Sequence, residues 1–273
     1  MTSSERDPRG SQGPFNLLLA AAWRAARSLA RDLNELEQLQ SAPESVRRFA
    51  EAGRERARDI LRESLAEARP AYGWIDEHGE AIGKDPRRVW AVAPVSGMAN
   101  FTAGRPGFAV LAAYADRGAV QAGAIVDPAT GEVFSARAGE GARRDRFRLR
   151  LATAGGGHPC PAVAAPLANA DSPLSGRLFR DLQTFARLGF GIRGTGSTAL
   201  DWAWVAAGRL QGAWTYGPPG IAERVGALLV REAGGRAGLA KRPVSEDAPN
   251  CAAAAPIFDM LAEALNPRSA PPG

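Results

Sequence analysis

The chain has 273 residues, 45% of them hydrophobic, enough for one large domain with a substantial core. Its 34 Lys and Arg against 29 Asp and Glu leave a net charge of +5, which permits an anionic partner without requiring one. With no recognisable motif of that kind, nucleic acid is not an expected partner, and two Cys (160 and 251) with two His (78 and 158) are too few for a disulfide framework or a soft-metal centre.

Residues 1–13 are rich in Ser, Gly, Pro and charge, a composition expected to stay disordered. From Pro14, the apolar residues Leu18, Ala22, Ala25, Leu29, Leu33 and Leu36 recur at helical spacing and predict an amphipathic helix. Arg24 and Arg27 interrupt its apolar run, so it reads neither as a signal peptide nor as a membrane span, and a cytoplasmic location is expected. Ser41-Ala42-Pro43 breaks the helix; a second, carrying Val46, Phe49, Ala57, Ile60, Leu61 and Leu65, runs to Pro70.

Tyr72–Ile75 reads as a short strand entering the turn Asp76-Glu77-His78-Gly79, and Val89–Val95 as a buried strand. Phe108–Ala115 and Val120–Val126 predict an antiparallel pair across Asp116-Arg117-Gly118, which Glu132–Ala136 extends. Arg143–Arg150 alternates basic and apolar residues and is expected to be a solvated hairpin rather than an anion-binding ridge. Gly155-Gly156-Gly157 is a loop lacking the Lys/Thr pair of a phosphate cradle. Helices are then expected over Leu174–Leu188, over Ser197–Ala207 with Ser197 as N-cap, and over Ala222–Ala233 closed by Gly234-Gly235, with a last one ending at Leu265. Phe190–Gly194, Gln211–Trp214 and Cys251–Ala255 are extended, and residues 267–273 form a tail.

The segment Ala93-Pro94-Val95-Ser96-Gly97-Met98-Ala99-Asn100 resembles the phosphatase signature Asp-Pro-x-Asp-Gly-Thr-x-Asn, framed by Trp90 and Phe101. Tyr72–Glu77, Asp127-Pro128, Glu132, Gly139–Ala142, Gly196–Asp201, Val205–Arg209 and Gly226–Gly235 follow in the order of the inositol monophosphatase family, which the chain resembles from about residue 15 to 265. The resemblance implies an α/β, layered αβαβα fold shared with fructose-bisphosphatase. It also implies one domain over 14–266, with an α+β half to about residue 150 and an α/β half from 151.

Chemically, the resemblance implies a Mg²⁺-dependent phosphomonoesterase whose metals are held by carboxylates from separate elements, because hard cations need several oxygen ligands. On that pattern Glu77 matches the first carboxylate and Val95 offers a backbone carbonyl. Ala93, Ser96 and Ala222 stand where three further Asp belong, Met98 stands at the Thr, and Arg54 falls at another acidic position. Thr215 replaces a substrate-contacting Glu. The expectation is therefore a non-catalytic, inositol-monophosphatase-like binding or regulatory protein, with no catalytic residue and no cofactor. It would pair with itself or with an active paralogue. Two alternatives stay open: a divergent Mg²⁺ phosphatase drawing ligands from Asp76, Glu77 and Glu80, and a metal-free binder of a small anion at Gly97, Ala99, Gly196, Ser197 and Thr215. Within the emptied pocket, Arg54 could pair with Glu77, or Val95, Met98, Trp214 and Ile221 could form an apolar plug.

Overall fold

In the computed structural model the chain is described over residues 13–38, 43–75, 81–151, 162–165, 174–239 and 249–265. Its elements, in order, are α1 (Pro14–Gln38), α2 (Pro43–Ala68), β1 (Gly73–Ile75), β2 (Ala81–Ile82), β3 (Arg88–Ser96), α3 (Met98–Thr102), β4 (Ala109–Asp116), β5 (Ala119–Val126), β6 (Val133–Arg137) and β7 (Gly141–Arg144). There follow β8 (Phe147–Arg148), β9 (Ala162–Ala164), α4 (Ser175–Arg187), β10 (Gly191–Arg193), α5 (Thr198–Ala206), β11 (Gly212–Tyr216), α6 (Ile221–Glu232), β12 (Arg236–Leu239), β13 (Pro249–Ala253) and α7 (Ala255–Ala264). Prolines at the first position of α1 and α2 suit that place, since the N–H they lack has no helical partner there.

Two sheets form. One has eight strands in the order β2-β1-β3-β4-β5-β6-β7-β8, and the other five in the order β10-β9-β11-β13-β12. The long helices α1 and α2 lie against β3, β4 and β5; α5 and α6 sit between the sheets; α7 backs β11, β12 and β13 beside α4. The layers are thus α, β, α, β, α.

Three apolar cores fill the spaces between layers, the central one reaching both sheets from α5 and α6, and strand alternation sorts residues among them. On β4, Leu111 and Ala113 face the central helices, whereas Val110 and Ala112 face α1 and α2. On the second sheet, Ala213 and Ala252 face the centre, while Trp214 and Cys251 face the outer layer with Phe185 and Phe258. Among the described residues, no helix is long and apolar enough to cross a membrane.

Most expected elements form where the periodicity places them; of Arg143–Arg150, the part to Arg148 forms an exposed hairpin tip, β7–β8, while Leu149 turns into the core. Strands β2, β9 and β12 and the five-residue helix α3 were not expected. They are too short to show a period and are held by their neighbours in space. The Gly155–Gly157 loop, both histidines and Cys160 lie outside the described residues.

Candidate functional site

The altered signature ends β3. Its ladder with β4 runs to Ala93↔Leu111 and resumes at Ser96↔Ala109, so three steps on β3 answer to two on β4. The extra residue is a β-bulge at Pro94–Val95, where proline can sit because no ladder donor is needed. The bulge also reverses the alternation. Ala93 packs on the central core, but Val95 packs on the α1/α2 side, and Ser96 turns toward α5.

Gly97 follows with φ of 99°, and a Cβ there would stand 2.7 Å from the Gly107 carbonyl oxygen, so only glycine fits. The N–H groups of Asn100 and Phe101 donate back to the Gly97 carbonyl and begin α3.

A second segment is stitched to this turn. Asn100 Nδ2 donates to the carbonyls of Gly107 and Thr195, both at 2.7 Å. Gly196 has φ of 87°, and a Cβ there would lie 2.2 Å from Asn100 Nδ2. Ser197 caps α5, its Oγ accepting from Leu200 N, and the same hydroxyl donates to Ser96 Oγ at 2.9 Å. Ala199 N reaches Ser96 Oγ at 3.4 Å. Behind them, Asp201 Oδ1 accepts from Thr195 N at 2.8 Å; burial pushes the Asp201 carboxyl up to about 6 despite that bond.

The structure gathers some predicted residues and separates others. Ser96, Gly97, Gly196 and Ser197 come together as one bonded unit. Ala93, Ile221 and Ala222 pack on the same central core. Met98 and Ala99 line a surface pocket of about 390 Å³ with Pro43, Val46 and Arg47, on the α2 side of the turn. Thr215 is buried on β11, its hydroxyl without a hydrogen-bond partner among the described residues. With Thr198, Asp201, Trp202 and Trp214 it lines a cavity of about 10 Å³, room for about one water.

The four-residue apolar plug does not form. Val95 and Met98 belong to the α1/α2 core, Ile221 to the central core and Trp214 to the outer one, because the two sheets stand between them. Arg54 is engaged on its own helix, its Nε 2.9 Å from Glu51 Oε1, with Glu55 on its other side. Glu77 lies outside the described residues. Among the described residues, the hydroxyl of Ser96 meets Ser197 and backbone, with no carboxylate bonded to it as a base.

In the sequence, Asp201 stands only as the end of the family-like run Gly196–Asp201, and Thr195 lies outside that run. The only local signal was a Thr two residues before an N-cap Ser; the 95-residue separation of Asn100 from Thr195 hides the rest. A cavity of about 730 Å³ between α6, β12 and the β4–β5 turn is lined by no residue of the signature.

Residues 15–267 match the model of the inositol monophosphatase family. The chain is 35% identical over 225 residues to the inositol-1-monophosphatase of Mesorhizobium japonicum, covering 81% of this chain and 83% of that one. It is 30% identical over 228 residues to the Nus factor SuhB of Escherichia coli, covering 81% and 83%. Among solved structures, the extragenic suppressor protein SuhB of Bartonella henselae superposes with a TM-score of 0.78 at 30% identity, covering 92% of this chain and 98% of that one. Inositol monophosphatase from Anabaena gives 0.76 at 25%, covering 92% and 94%.

Proposed function

We propose that this chain, which belongs to the inositol monophosphatase family, is a non-catalytic member that binds a partner instead of hydrolysing a phosphate ester. The observation that carries this reading is the use made of Ser96. Where the signature implies a carboxylate free to hold metal, this hydroxyl accepts from Ser197 Oγ and Ala199 N at the start of α5. Its acceptor capacity goes into the scaffold.

The neighbouring positions agree. Ala93 and Ala222 offer methyl groups, and the Met98 side chain is apolar and packs on the α1/α2 core. A hard divalent cation needs several oxygen ligands, and affinity follows their number and charge. The side chains at these positions do not fit Mg²⁺. Among the described residues, no three Asp, Glu, His or Cys side chains gather where they could hold a metal ion. Without the ion, activation of water and stabilisation of the leaving oxygen are lost together.

The partner is expected at the surface, as a second copy of the chain or an active paralogue. A small anion in the old cleft has less in its favour, since the space beside Thr215 is about 10 Å³. The rival reading is a divergent Mg²⁺ phosphatase with ligands around Asp76, Glu77 and Glu80, and it draws on the overall likeness to named phosphatases.

The test is Mg²⁺-dependent phosphate release from inositol 1-phosphate, run beside an active relative. No release above background is expected, whereas turnover within a few orders of magnitude of the control would establish the rival. The combined variant Ala93→Asp/Ser96→Asp/Ala222→Asp is expected to gain a Mg²⁺-dependent rise in Tm that the parent lacks.

A further inference from the structure

The hairpin Arg143-Arg144-Asp145-Arg146-Phe147-Arg148 closes the outer edge of the eight-stranded sheet. Its register sets Arg143 directly opposite Arg148 and Arg144 opposite Phe147. Like charges facing each other across a ladder are unfavourable unless an anion answers them. Among the described residues no carboxylate does so. Asp145 accepts from Val133 N, Glu132 is held by Arg209 and Arg144, Glu140 by Arg137, and Glu232 accepts from Gly139 N and Gly141 N. Arg143, Arg146, Arg148 and Arg150 are exposed and have no carboxylate partner among the described residues. Phe147 is 55% exposed at the tip, with the Arg146 guanidinium 5.3 Å from its ring.

We propose that this edge binds single-stranded nucleic acid, with phosphates on Arg143 and Arg148 and a base stacked on Phe147. Alternation puts the Arg143/Arg148 pair on one face of the hairpin and Phe147 on the other. A bilayer surface meets one face at a time. A flexible strand can bend around the short tip and meet both, combining phosphate neutralisation with stacking. A small anion needs a concavity, and this edge is open. The expectation against nucleic acid rested on composition and motifs, neither of which reveals which arginines face one another.

The test is fluorescence anisotropy over a salt series, with labelled oligouridylate and oligothymidylate of equal length. Unlabelled vesicles of phosphatidylserine and phosphatidylcholine serve as competitor. Both strands are expected to bind at low salt, with log K falling linearly in log salt; the two oligomers distinguish RNA from DNA. Arg143→Ser/Arg148→Ser should flatten that slope by about 1.4, since each phosphate contact with a single strand contributes about 0.7. Phe147→Ser should weaken binding about tenfold at unchanged slope, because it removes stacking alone. Unchanged Tm in both variants would assign these losses to the surface. The proposal is overturned by no binding at the lowest salt, by an unchanged slope in the double variant, or by vesicles displacing the strands as well as unlabelled strand does.

Discussion

The signature turn and the β7–β8 hairpin belong to the same sheet and treat their polar groups in opposite ways. At the turn, the Asn100 amide and the hydroxyls of Ser96 and Ser197 are bonded inside the chain, tying β3 to α5. At the hairpin, the guanidiniums of Arg143, Arg146 and Arg148 and an aromatic ring face outward, with no carboxylate among the described residues to answer them. Inward bonding makes a region part of the fold, whereas outward charge leaves it available to a partner. Substitutions should therefore cost stability at the turn and binding at the hairpin.

The sharpest break in that contrast is Gly196→Ala. A residue with Cβ held at φ of 87° carries about 1–3 kcal/mol of strain. Its methyl would also displace the Asn100 amide, taking the donor from two part-buried carbonyls at about 1 kcal/mol. A loss of about 3 kcal/mol is expected in denaturant unfolding.

Asp201 gives a test in pH. Its folded carboxyl is pushed up to about 6, above the unfolded value of about 3.9, so between these values the folded state binds the proton more tightly. Stability should fall as pH rises from about 4 to about 6, by about 2 to 3 kcal/mol, and then level off. Asp201→Asn, whose amide oxygen can still accept from Thr195 N, should abolish that slope.

Ser96→Ala removes the bond from Ser197 Oγ and should cost about 1 kcal/mol. A drop in Mg²⁺-dependent hydrolysis with unchanged stability would instead speak for a working metal site. The smallest effect is expected at the hairpin, where Phe147→Ser should shift stability by less than about 0.5 kcal/mol while its loss appears in nucleic-acid binding.

Much of the fold was legible because long elements repeat their pattern. The apolar residues of α1 and α2, the paired strands β4 and β5, and the Ser197 cap all follow from local spacing. Short elements were not: β9 is three residues and takes its conformation from β10 and β11 beside it. The signature was recognisable in its frame, yet its spatial use was hidden. Grouping Val95, Met98, Ile221 and Trp214 in one plug ignored the sheets that divide them among three cores.

The sequence alone determined the family, the order of the layers' elements, and the side chains at the signature positions, because these depend on residue identity and local period. Only the tertiary structure decided which way each of those side chains turns. One extra residue at Pro94–Val95 reverses the strand's alternation, sending Val95 to the α1/α2 core and Ser96 to the start of α5. The Arg143/Arg148 pairing is of the same kind, since register is a property of two strands in contact and of neither read singly.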